Sequence, residues 1–168
     1  MLEEILFKAK RVDNGKWVEG IPFEIEGKTV ILIKDNENLL RTHYIEENMW
    51  TAEIYAIEVI PHSICRYTGL TDKNGKEIWE NDILMSHKDQ SQLVKVVFGE
   101  FAIVDVETLE AVDHAIGWHY EVIPTYVLDE YKPFCFSMPL TSNYIDLCEF
   151  EVIGNIFDIP ELVRGEAK

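Results

Sequence analysis

The 168-residue chain holds only three cysteines, Cys65, Cys135 and Cys148, and no two of them stand in a Cys-x-x-Cys spacing. Zinc ribbons and dithiol chemistry need such pairs, and an odd three cannot close a complete disulfide framework. The thiols read as small buried hydrophobes of a protein kept in a reducing compartment. Long apolar runs are missing as well, since none approaches the ~18–20 residues that cross a bilayer. The opening Met1-Leu2-Glu3-Glu4 has acids where a signal peptide carries lysine or arginine. The expectation is a soluble, cytoplasmic protein with no membrane partner.

Bases are also scarce. Fifteen lysines and arginines face 31 acids, a formal charge of −16. That field opposes the phosphates of nucleic acid and anionic lipid alike. The shortage is concentrated in one half: residues 96–163 carry thirteen acids and a single base, Lys132. Two interpretations follow, a solvated acidic surface and an acidic face that docks on a basic partner or mimics a nucleic-acid backbone. The basic group Lys8, Lys10, Arg11 and Lys16 is the one place where direct nucleic-acid contact has any footing.

Catalytic signatures are absent too. There is no Gly-x-Ser-x-Gly elbow, phosphate loop or dinucleotide fingerprint. Cys135 and Cys148 have no histidine beside them in sequence. His114 and His119, with Asp113 and Glu121, form the best metal constellation, but a spacing of five suits neither one helix face nor one strand face. His43, His62 and His87 stand alone. No cofactor, metal or enzymatic activity is expected.

What the chain does have is β-structure. Hydrophobic residues make up 47% of it and aromatic ones 11%, enough for a core without staples in a chain of this size. Ile5–Lys10, the turn signal Asp13-Asn14-Gly15 and Lys16–Gly20 read as a hairpin. Thr29–Ile33 is short, continuous and β-branched, as a strand buried on both faces is. Residues 44–60 are ambiguous between a helical turn at Tyr44–Trp50 and a strand at Ile54–Ile60 that stops at Pro61. Asp72–Lys76 is a second turn signal. Asp82–His87, Leu93–Phe98 and Phe101–Val106 form a meander, with a turn expected at Gly99-Glu100, and such a meander tends to close as a small barrel. Leu109, Val112 and Ile116 give Glu107–Ala115 a helical spacing. Phe150–Phe157 is a last strand and Pro160–Val163 a terminal turn.

The run Tyr67-Thr68-Gly69-Leu70-Thr71-Asp72-Lys73-Asn74-Gly75-Lys76-Glu77-Ile78-Trp79-Glu80-Asn81-Asp82-Ile83 closely resembles the signature of the YopX family of phage and prophage proteins. A second family mark resembles Glu151-Val152-Ile153-Gly154-Asn155-Ile156-Phe157-Asp158-Ile159-Pro160-Glu161-Leu162. Phe7-Lys8-Ala9 with Gly15-Lys16-Trp17-Val18 is similar to the family's opening hairpin. Residues 107–148 are left unmatched. The resemblance implies a phage-derived origin and a mainly β protein whose signature part is an SH3-like small barrel. It brings no biochemical activity with it. The expected division is an N-terminal β-rich subdomain over 1–60, the barrel over 61–163 with an irregular insertion at about 107–148, and a tail at 164–168. Asn81 stands where the family usually has glycine, and asparagine is the non-glycine residue best suited to positive φ.

Two roles compete for the signature. It encodes a tight turn, with Asp82 accepting backbone N–H groups and Leu70, Ile78 and Ile83 anchoring the core. Alternatively, Tyr67 and Trp79 line an aromatic groove beside Glu80 and Asp82 and grip a peptide, as SH3-type barrels do. Trp17, Trp50 and Trp118 are further candidates for exposed anchors. The function expected is a non-enzymatic protein-interaction module, with self-association as one way to hide unpaired strand edges. The alternative is an acidic nucleic-acid mimic that blocks a host DNA-binding protein.

Overall fold

A computed structural model describes residues 6–33, 41–46, 49–53, 56–88, 92–105, 107–108, 110–123 and 137–164, with the backbone alone over 41–53 and 163–164. Cys135, and Lys132 with it, lies outside the described residues. The protein is mainly β, built from antiparallel strands with few helical turns. It divides into two compact units, residues 1–67 and 68–168. Strand β7 (Cys65–Thr71) carries the chain from one to the other.

The first unit opens with the expected hairpin. Strand β1 (Phe7–Lys10) pairs with β2 (Trp17–Ile25) in a register that sets Ala9 opposite Val18. The connection closes because Gly15 takes φ +68°, so that its N–H reaches the Arg11 carbonyl at 3.0 Å. β2 continues into β3 (Lys28–Ile33), which in turn pairs with β6 (Ala56–Glu58). Val30 and Ile31 are adjacent and both buried, so β3 is covered on both faces. The core is small: Ala9, Ile31 and Val59, with Phe7, Val18, Ile57 and Ile64 packed on it. At its centre Gly20 sits between Phe7 and Ile33, and a Cβ there would stand 2.1 Å from the Leu32 carbonyl oxygen. Only glycine allows that approach. Within residues 44–60 the described backbone is mostly strand: β4 (Arg41–Glu46) and β5 (Met49–Glu53) pair with each other, and β6 ends before a 3₁₀ turn at Pro61–Ser63.

The second unit runs through the end of β7, β8 (Glu77–Trp79), β9 (Asp82–Ser86), β10 (Leu93–Val104), β11 (Ala111–Ile123), β12 (Met138–Pro139), α1 (Ser142–Cys148), β13 (Phe150–Asn155) and α2 (Pro160–Arg164). Its main sheet has the order β12-β11-β10-β9-β13 and is open among the described residues, ending on β12 and β13. Phe150, Leu84, Val94, Val96, Tyr120, Ile145 and Ile78 build the core. Helix α1 is capped by Thr141, whose hydroxyl accepts from the Tyr144 N–H at 3.2 Å, and Glu149 ends it in the left-handed conformation at φ +50°.

Two expectations need correction here. Gly99-Glu100 makes no turn, because β10 is a single twelve-residue strand in which Gly99 pairs with Gly117. The helical spacing read over Glu107–Ala115 does not hold from Ala111 onward: Ala111 begins a thirteen-residue strand, and the spacing of Val112 and Ile116 was outweighed by pairing along the whole of β10, while Leu109 lies outside the described residues. Within 107–148, Tyr120, Leu140 and Ile145 belong to the core of this unit.

Candidate functional site

The signature first. Asp72 starts the turn, its Oδ1 accepting from the N–H groups of Asn74 (2.8 Å) and Lys76 (2.9 Å). Its other oxygen accepts from the Val152 N–H of β13 at 2.9 Å. Burial pushes this carboxyl up, yet the backbone donors Val152, Lys76 and Asn74 outweigh it and hold Asp72 below the usual carboxylate range. Gly75 sits at φ +81°, and its N–H returns to the Asp72 carbonyl. Lys73 N–H donates to the Phe150 carbonyl and Lys76 Nζ to the Val152 carbonyl. One end of the signature is thereby clasped to the start of the second family mark.

Asp82 does the same at the other end. Its Oδ2 accepts from the Trp79 N–H at 2.9 Å and its Oδ1 from Asn155 Nδ2 at 2.8 Å. The Asn155 side-chain oxygen accepts in turn from the Phe157 N–H. Asn81 between them adopts φ +65°, the conformation that favours glycine and next to it asparagine. Both family marks are thus the two halves of one hydrogen-bonded structure.

That geometry decides against an open groove built on all four residues. Trp79 is 3% and Asp82 2% exposed, while Tyr67 and Glu80 are half-buried. A ring and a carboxylate so enclosed hold the turn, and neither presents a surface to a peptide. Trp17 and Trp118 are also half-buried, the first under the ammonium groups of Lys8 (5.0 Å) and Lys10 (5.3 Å). The side chain of Trp50 lies outside the described residues. Within the basic group, Arg11 is engaged by Asp13 at 2.6 Å.

His114 and His119 are not brought together. In the β10–β11 ladder His114 faces Ala102 and His119 faces Val97, positions of opposite parity and therefore opposite faces. His114 is exposed; His119 is buried over Gly99 and stacked on Phe101 at 4.9 Å, with its Nδ1 3.2 Å from the Gly117 carbonyl. No group of three metal-ligating side chains occurs among the described residues. Burial pushes the Cys148 thiol up, away from a reactive thiolate. His87 meets Glu151 on the surface of the sheet, and Lys73 lies 3.6 Å from the same carboxylate.

The surface feature that the residues did not announce is the far part of the β10–β11 hairpin. Among the described residues, β9 pairs with β10 only at Leu93–Lys95, and β12 pairs with β11 only at His119 and Tyr120. Beyond those positions the two strands continue as a two-stranded ribbon to Val104 and Ala111. Asp105 closes its tip by accepting from the N–H groups of Glu107 and Thr108, both at 2.9 Å, and these donors hold its carboxyl below the usual range. A bulge lies between the Ile103 and Val104 pairs. The ribbon exposes Phe98 (38%), Ile103 (42%), Val112 (65%) and Ile116 (76%). Glu100, Asp105, Glu107, Glu110 and Asp113 lie on the same ribbon, and no lysine or arginine occurs from Val96 to Tyr131. The uneven charge did point to this region. The false turn at Gly99 hid the arm, since it cut one strand into two.

A family model described as YopX protein matches residues 6–164. The chain belongs to the YopX family. The matched span runs across residues 107–148. None of the curated proteins matches. Among solved structures, protein EF1440 from Enterococcus faecalis is similar at 21% identity, over 95% of this chain and 98% of that one, with a TM-score of 0.46.

Proposed function

We propose that this YopX-family protein is a non-enzymatic phage accessory module that works through protein contacts, and that the β10–β11 arm is its contact surface. The exposure of Ile116, Val112, Ile103 and Phe98 on a two-stranded ribbon carries the reading. Fully burying a side chain of this kind is worth about 1.5–3 kcal/mol, and a contiguous exposed apolar patch marks an interaction site. The reading includes an SH3-type curl of the second unit, supported by the return of β13 to pair with β9 around a shared core. An acidic nucleic-acid mimic is less well served by the same ribbon. Its carboxylates alternate with apolar groups, Glu100 opposite Ile116 and Asp113 opposite Ile103, where a phosphate mimic needs acids alone.

The test is site-specific photocrosslinking in cells that express the full chain, with benzoylphenylalanine at position 116 and, as control, at the exposed Asn74 of the signature turn. Adducts of discrete mass at 116 and none at 74 are expected. No adduct at 116, or the same adducts at both positions, contradicts the reading.

A further inference from the structure

The arm has an open edge as well as apolar faces. Between Ala111 and Gly117 no strand pairs with the outer side of β11 among the described residues; β12 takes it up only at His119 and Tyr120. An unpaired edge of this length is a template for another strand, and proteins commonly guard one with lysine or proline. This edge has neither, and instead lies on a ribbon of five carboxylates, Glu100, Asp105, Glu107, Glu110 and Asp113, with no lysine or arginine from Val96 to Tyr131. Such a guard is selective by sign. A second copy of the chain would bring the same carboxylates against these ones, whereas a basic strand meets opposite charge.

Register shows how the charge and the apolar groups are distributed. Residues opposite one another share a face, so Ile116 lies beside Glu100 on one face, and Asp113 beside Ile103 on the other. The Ile116 face also carries Phe98, so across the paired positions of the two strands each face offers one carboxylate and at least one apolar side chain. A strand added along β11 meets both faces when it carries an apolar and a basic residue on each, as residues taken two by two, basic then apolar, do.

We infer that the outer edge of β11 at Ala111–Gly117 accepts, as an added strand, an extended basic and apolar segment of a partner protein, and that the arm's carboxylates keep two copies of this chain from pairing there. This rests on the reading of the arm as the contact surface. The occupant is a protein segment, because only a polypeptide supplies both the ladder hydrogen bonds and the alternating side chains.

The experiment titrates the full chain with three fluorescent twelve-residue probes: a Lys-Lys-Val-Val repeat, a Glu-Glu-Val-Val repeat, and a Lys-Lys-Val-Pro repeat that keeps the charge but removes ladder donors. The lysine–valine probe is expected to bind, at least tenfold more tightly than either of the others. Its affinity should fall at least tenfold in V112S/I116S and in E110K/D113K, with urea midpoints close to the parent's in both variants. Equal binding of the proline probe would show charge attraction alone, as in a polyanion mimic, and overturns strand addition. Equal binding of the glutamate probe, or indifference to both variants, overturns it as well. So does sedimentation showing a dimer of the parent chain that V112S/I116S dissociates, since the occupant is then a second copy. Crosslinking at position 116 is read separately: adducts there with no lysine–valine binding sink the basic strand and leave the contact surface standing.

Discussion

Two parts of the second unit handle polar and apolar groups in opposite ways. In the clasp formed by 72–83 and 150–157, the carboxylates of Asp72 and Asp82 are buried and each of their oxygens has a donor, while Trp79 is enclosed beside them. In the arm formed by 97–117, carboxylates stand in water and so do Val112 and Ile116. The first arrangement is that of a fold holding itself, since a buried charge persists only when it is fully hydrogen-bonded. The second contributes little to folding and is suited to meeting something else. The most recognisable stretch of the chain is therefore its brace, and the candidate contact surface lies in the stretch that reads most poorly.

That contrast can be broken at either end. The largest effect is expected from Asp82→Ala. It removes the acceptor of the Trp79 N–H and one of the two acceptors of the Asn155 amide, which also reaches the Glu80 carbonyl at 3.3 Å, at about 1–3 kcal/mol for each buried donor left unsatisfied. Urea unfolding should show a cost on the order of 2–5 kcal/mol; a midpoint unchanged from the parent would deny that the clasp braces the fold. Asp72→Asn comes next, with a signature in pH. The folded carboxyl of Asp72 lies below its ordinary 3.8, so the unfolded chain binds its proton first as the pH falls. The stabilisation is complete above the ordinary value and is lost as the pH drops through the lowered one. The parent should therefore lose stability on acidification from about pH 5 downwards, and Asp72→Asn should flatten that slope. Parallel profiles for the two proteins would count against it.

Smaller again is Asn81. Left-handed backbone costs a side chain with a Cβ about 1–2 kcal/mol, and asparagine less than most. Asn81→Ala should lose about 1 kcal/mol, whereas Asn81→Gly should stay within a few tenths in thermal or urea unfolding. A glycine variant as damaged as the alanine variant would remove the conformational explanation. The smallest effect on stability is expected at the arm: V112S/I116S should shift unfolding by less than about 0.5 kcal/mol, as surface substitutions do, despite removing two large apolar side chains. A loss of 2 kcal/mol or more would make the arm part of the core.

Much of the brace was legible before any coordinates. Turn chemistry is local, so Asp72, Gly75 and Asn81 announced their conformations, and the acceptor role of Asp82 followed from its place before a strand. The opening hairpin was legible for the same reason, through Asn14 and Gly15. Burial was not: Trp79 could be assigned to a surface groove because nothing in its neighbours tells enclosed from exposed. The arm was missed through Gly99, which reads as a turn residue but pairs with Gly117 in mid-strand and leaves room for the His119 ring. Leu109, Val112 and Ile116 suggested a helix, yet Val112 and Ile116 lie on one strand, with the bulge of the ladder beside Val112. The acidic bias was visible; that it gathers on one ribbon depends on a twelve-pair ladder between distant residues, which no local rule supplies.

The most direct measurement is amide hydrogen exchange of the full chain with and without the Lys-Lys-Val-Val probe at saturation. Slowed exchange confined to Ala111–Gly117, with 72–83 and 150–157 unchanged, is the expected result. Slowing in the clasp with the arm unaffected would contradict it, and would return the contact surface to the signature.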